Sequence, residues 1–373
     1  MSGSPRILIL TAAFGEGHNS AARNMAAALR LQGAEALVCD PCAEGAPHIT
    51  GALGRGYRIV TTHFPKFWAR IYHTADQCDF SKPRSFLLDC IAVALARELD
   101  QFNPDAVICT YPLYPYFLAD LPDGRVNQLP VFTVVTDSIE INATWLRAPS
   151  DWWLVTDATT RDGMAASGVD REKIVDTGFP VSPEFSSLVP IAEDDACDPF
   201  RVLYFPTAQN TKIRRHARAI LATSPQVHLT FALGKNFRHL YHRAKEIRRE
   251  FPGRVRILGW TRKVPQLLNS HHLVIGKAGG ATVHEAIAAC CPMFIHHLVP
   301  GQEEGNLQLL EKIGGGMLAD SAEAIRERLG EILDHNAEDW RTMKRALAAH
   351  GRNAGAITAS RFVLNHLKDH SRL

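Results

Sequence analysis

Twelve short apolar runs divide the chain, and between them the hydrophobic period lengthens to that of amphipathic helices. In the first half the runs fall at 6–10, 35–39, 105–110, 130–136, 152–156 and 174–177. In the second half they fall at 201–205, 227–233, 255–258, 272–276, 292–297 and 316–319. Helical patterns between them include 19–32, 84–102, 211–223, 237–250, 281–290, 302–313, 321–334 and 337–369, the last with a break near Gly351. Strand–helix alternation with β-branched runs implies parallel sheets covered by helices on both faces. The expected class is α/β.

With 373 residues, the chain is long for one core. The pattern restarts near residue 200, after VSPEFSSLVPIAEDDACDP, a linker-like stretch rich in Pro, Ser and acids. This suggests two doubly wound, Rossmann-like domains, 1–190 and 195–350, facing a central cleft. Residues 351–373 would form a helix packing back toward the first domain. Ligands of such sheets bind at the carboxyl ends of the strands.

Composition narrows the class further. Hydrophobic residues make up 46% of the chain, as in globular proteins. No run approaches the roughly 20 apolar residues of a membrane span, and MSGSPRILIL lacks a signal-peptide pattern, so a cytoplasmic location is expected. Eight cysteines show no paired metal spacing; Cys39 and Cys42 form an isolated CxxC, and the set reads as small buried hydrophobes. Up to Ser186 there are 15 Lys+Arg and 21 Asp+Glu, against 26 and 18 in the remainder. The basic half suits an anionic ligand or, equally, a solvated surface. Its cations lie on amphipathic helices without interleaved aromatics, so no nucleic-acid partner is expected.

The first run ends in LTAAFGEGHNSAA, where Gly15 and Gly17 flank the approach to His18 at a helix start. One glycine suffices for a turn; two let the backbone come close to a ligand, the alternative being a turn with a solvated histidine. In the second half, LVIGKAGGATVHEAIAACCPMFIHHLVPGQEEGN carries Gly279, Gly280, Ala281 and Thr282 at a helix N-terminus. Bare N–H groups and the dipole there suit a diphosphate. Glu285 on the first turn is better placed for ribose hydroxyls. Gln302, Glu303 and Asn306 offer amide and carboxylate groups after the next strand. Each alone reads as a capping residue. Two such elements on adjacent strand ends favour a nucleotide-sugar site.

These residues, with GEGHNSAA, resemble the monogalactosyldiacylglycerol synthase and processive diacylglycerol glucosyltransferase family, whose fold is GT-B. Further matches are Thr136-Asp137, Asn142-Ala143-Thr144-Trp145 and Gly178-Phe179-Pro180-Val181-Ser182-Pro183-Glu184-Phe185. The chain departs from the family at Asn142, where plant-type members carry histidine, and at Ser182, where many carry arginine. It also departs in the glycine-free stretch Tyr204 to Asn210, where the family has a glycine-rich loop. The resemblance implies hexose transfer from a UDP-sugar to a lipid acceptor, with inversion and with no metal or organic cofactor. His18 would be the base and Asp137 its orienting partner, with Gly15, Gly17, Asn142 and Trp145 near the acceptor. His284, His296 and His297 lack metal-like partners and read as packing or polar contacts. The aromatic-basic stretch 57–72, with Lys66, Phe67, Trp68 and Arg70, suits peripheral attachment to the inner membrane face or an ordinary core helix. Other outcomes compatible with these motifs are a soluble acceptor, a nucleotide-sugar epimerase, or an inactive nucleotide-sugar-binding regulator.

Overall fold

The computed structural model describes residues 4–370 apart from 14, 65–66, 68–69, 71–85, 122–128, 208–209, 302 and 353. All twelve apolar runs are strands. They are β1 (Arg6–Leu10), β2 (Glu35–Cys39), β3 (Ala106–Cys109), β4 (Val131–Val134), β5 (Trp152–Val155) and β6 (Ile174–Asp176). They continue as β7 (Phe200–Tyr204), β8 (Val227–Ala232), β9 (Val255–Leu258), β10 (Leu273–Lys277), β11 (Met293–His297) and β12 (Gly316–Leu318). The chain forms two compact units. One comprises Met1–Pro183, Pro300–Gly305 and Asn353–Leu373; the other comprises Glu184–Val299 and Asn306–Arg352.

The first unit holds a parallel sheet ordered β2-β1-β3-β4-β5-β6. Continuous apolar sequence is explained by burial on both faces. Ile7 and Ile9 pack with residues of the helices Glu16–Leu31 and Gly355–His370, and Leu8 and Leu10 with the helix Phe86–Phe102. The strand order reverses at β1, so the carboxyl end of β1 lies at the switch point of the sheet. The last helix buries Ala356, Ala359 and Val363 in this core. Its Phe362 meets Trp152 edge-on at 5.1 Å.

The second unit holds a parallel sheet ordered β12-β11-β10-β7-β8-β9. Phe200, Val202, Tyr204, Leu229 and Phe231 share its main core with Ile213, Leu240 and Trp340 from covering helices. Trp340 donates its indole N–H to the His272 carbonyl at 2.7 Å, which anchors the helix Ala322–His350. That helix is interrupted by non-helical backbone at Asp334 to Ala337 and ends before Gly351, whose φ of 95° is left-handed.

Candidate active site

The turn after β1 leads into the helix Glu16–Leu31, and His18 lies on its first turn. Its Nδ1 is 2.7 Å from the Thr110 carbonyl oxygen and 3.1 Å from Thr136 Oγ1. A carbonyl only accepts, so Nδ1 carries the proton and the Nε2 lone pair is left as the basic position. The ring is half-buried, edge-on to Tyr111 at 5.2 Å and tilted against Trp145 at 6.0 Å. Desolvation lowers its pKa to about 4, against the opposing pull of the Thr110 carbonyl. The imidazole is therefore neutral at pH 7.

Gly15 is extended, with φ −172°, and a Cβ there would make only ordinary contact with His18. A Cβ on Gly17 would meet nothing within 4 Å. Neither backbone strain nor local packing requires glycine at these positions.

Asp137 does not orient His18. Its carboxylate accepts the Trp145 indole N–H at 2.8 Å, while Thr110 and Thr136 hold the imidazole. Burial raises the Asp137 pKa to about 6; the Trp145 bond opposes the shift and the charge of Glu303 adds to it. Trp145 is 2% exposed, so its ring is packed within the fold and its N–H fixes Asp137. Asn142, also expected near an acceptor, caps the helix Ala143–Leu146 by accepting from Thr144 N at 3.0 Å. Its Nδ2 is buried without a partner.

Glu303 belongs to a turn that packs within the first unit. Gly301 has φ 81°, a left-handed conformation suited to glycine. A Cβ on Gly305 would collide with the Ser138 carbonyl oxygen, so this glycine permits close approach of the two backbones. Glu303 is 5% exposed. Gln302 lies outside the described residues.

In the second unit, β10 runs through Ala278 into the helix Gly280–Ala288, with Gly279 at its N-cap. Gly279 supplies no side-chain cap, and Gly279, Gly280, Ala281 and Thr282 are all half-buried. The first-turn amides thus form a polar, positively polarised end. Asn306 braces the loop from the next helix, donating from Nδ2 to the Ala278 carbonyl at 3.0 Å. Glu285 is half-buried one turn further on. The glycine-free loop after β7 is held by His296, whose Nε2 lies 3.1 Å from the Phe205 carbonyl. His296 also packs edge-on against Tyr204 and His216, both at 5.3 Å. Thr110 and His216 had no motif to mark them in the sequence, and Thr136 was marked only as part of the Thr136-Asp137 match, with no contact to His18 expected of it.

Residues 18–181 match the family described as Monogalactosyldiacylglycerol (MGDG) synthase. Processive diacylglycerol beta-glucosyltransferases from Bacillus cereus (strain B4264) and Bacillus mycoides (strain KBAB4) are 24% and 25% identical over 323 residues. In both cases the match covers 84% of this chain and 82% of the relative. The chain is thus similar to this family over its first half and to these relatives over most of its length. Among solved structures, Anabaena Alr3699/HepE in complex with UDP and glucose has TM-score 0.54 and 13% identity, covering 98% of this chain and 100% of that one. Acinetobacter baumannii MurG has TM-score 0.62 and 14% identity, with 97% and 99% coverage. UDP-GlcNAc 2-epimerase from Neisseria meningitidis, bound to UDP-GlcNAc, has TM-score 0.59 and 13% identity, with 98% and 100% coverage. These likenesses establish a two-domain, Rossmann-like GT-B fold for this chain.

Proposed function

We propose that this protein is a member of that family and transfers a hexose from a UDP-sugar to a hydroxyl of a diacylglycerol-type lipid, with inversion at the anomeric carbon. The carrying observation is His18: a neutral imidazole whose Nδ1 is tied to a carbonyl, leaving Nε2 to act as base. In this scheme Nε2 takes the hydroxyl proton, the acceptor oxygen bonds to the anomeric carbon, and the bond from that carbon to the UDP oxygen breaks. The departing diphosphate is stabilised by amides of Gly279, Gly280, Ala281 and Thr282, without a metal or organic cofactor in the scheme. Glu285, Gln302, Glu303 and Asn306 serve the rest of the donor, while Gly15 and Gly17 admit the acceptor headgroup.

A lipid acceptor calls for contact with a membrane. Among the described residues no helix is long and apolar enough to cross one. Leu53, Ile59, Phe64 and Phe67 are 55–60% exposed along and just beyond the helix Pro47–His63. This supports a peripheral apolar contact; Lys66 and Trp68 lie outside the described residues. Mass spectrometry of lipids from expressing cells should show a new hexosyl lipid that is absent with His18→Ala. A released or epimerised sugar without that lipid would favour the soluble-acceptor or epimerase reading; no sugar product would favour a regulator.

A further inference from the structure

One face of the second unit's sheet is incompletely covered at its amino end. Phe200, Val202, Leu229 and Phe231 point into the main core, so the alternating residues Arg201, His228, Thr230 and Arg256 lie on the other face. Arg201 stands opposite His228 on adjacent strands, and Thr230 opposite Arg256. The chain returns from β9 to β10 through the seven-residue helix Val264–Ser270, about 10 Å long. The six-residue β8 extends about 20 Å, so that short helix leaves part of the face open. A groove of about 480 Å³ results.

The groove wall is cationic. Its lining includes Arg201, His228, Arg254 and Arg256 and contains no carboxylate. Arg254 is committed to the Leu221, Ser224 and Val227 carbonyls. Arg201 is steadied by one bond, Nε to the Ser270 carbonyl at 2.8 Å, which leaves its terminal nitrogens as further donors. Arg256 is exposed. His271 fixes the floor: Nδ1 donates to the Leu267 carbonyl at 2.7 Å, and Nε2 accepts from Thr230 at 2.9 Å. Arg201 and Arg256 both act on His271 through their charge.

From this geometry we infer a phosphate-binding site in which Arg201, His228 and Arg256 hold the oxyanion. Paired guanidinium donors beside an imidazole suit phosphate chemistry, and a phosphate would neutralise charges left without carboxylates. The site is at the amino ends of the strands, whereas Gly279 to Thr282 follow the carboxyl end of β10. The phosphate belongs either to a soluble molecule or to a lipid headgroup.

The test uses the full chain and two probes. Inorganic phosphate, exchanged for chloride at constant ionic strength, should raise Tm in a saturable manner. Arg256→Gln and His228→Gln should each weaken the apparent affinity, Arg256→Gln by about tenfold or more. Co-sedimentation with phosphatidylcholine vesicles, with and without phosphatidic acid, distinguishes the source. Saturable phosphate binding without Arg256-dependent vesicle binding supports a soluble ligand. Phosphatidic-acid-dependent sedimentation lost in Arg256→Gln supports a headgroup. No response to either probe, or equal responses in wild type and both variants, overturns the site. Retained protection by UDP provides a separate check on the proposed donor site.

Discussion

His18 and Asp137 have displaced pKa values, about 4 and about 6, because both are desolvated but their charged forms differ in sign. If the Asp137 carboxylate is required, kcat/KM should fall below about pH 6. Asp137→Asn should then lower kcat/KM at every pH and leave, in the residual activity, only a limb nearer pH 4; a single wild-type limb near pH 4 would exclude a role for Asp137 ionisation. His18→Ala should lower turnover by about 10²–10⁴-fold while preserving UDP affinity, measured by steady-state kinetics and calorimetry. Normal turnover in that variant would remove His18 as base. Gly17→Ala provides a different test. With no Cβ obstruction, it should preserve or raise Tm, while reducing turnover if the glycine admits an acceptor.

At the level of elements, the turn Pro300–Gly305 is fitted to the backbone after β4 through Gly305 and Ser138. Gly305→Ala should therefore destabilise the protein by about 1–3 kcal/mol, measured by denaturant unfolding. An unchanged midpoint would show that the turn shifts without cost. The exposed apolar residues after helix Pro47–His63 give a separate prediction. Combined Phe64→Ser and Phe67→Ser should reduce vesicle sedimentation even at low salt, because apolar insertion is not removed by ionic screening. Equal sedimentation would place the membrane contact elsewhere.

At the scale of the whole molecule, five histidines among the described residues have lowered pKa values. His18, His216, His271 and His272 lie near 4, and His296 near 3, against an ordinary 6.5; desolvation is the largest cause for each. Between about pH 4 and 6.5 the unfolded chain binds protons at these sites that the native protein does not, so stability rises with pH. Asp137 contributes the opposite slope between 3.8 and about 6, since its proton is favoured in the native state. Burial also raises the Glu44 pKa, which adds to that opposite slope, but the five histidines outweigh these two carboxylates. Tm should fall as pH is lowered from 6.5 toward 4; each excess proton bound by the unfolded chain corresponds to about 1.4 kcal/mol per pH unit. A flat profile would contradict this balance.

The strands were legible because buried parallel strands require continuous apolar runs, and Gly279–Thr282 was recognisable as a helix start. Short helices such as Pro41–Gly45, Ala143–Leu146 and Val264–Ser270 were not individually identified, since few turns provide little periodicity. The sequence also singled out the glycine-histidine turn and the resemblance to the family. Tertiary structure alone brought Thr110 and Thr136, 92 and 118 residues away, to His18, and turned Asp137 toward Trp145. The difference is physical: periodicity and capping are local, whereas sheet order decides which strand ends meet. Desolvation and uncovered cationic faces arise only after those distant neighbours have packed.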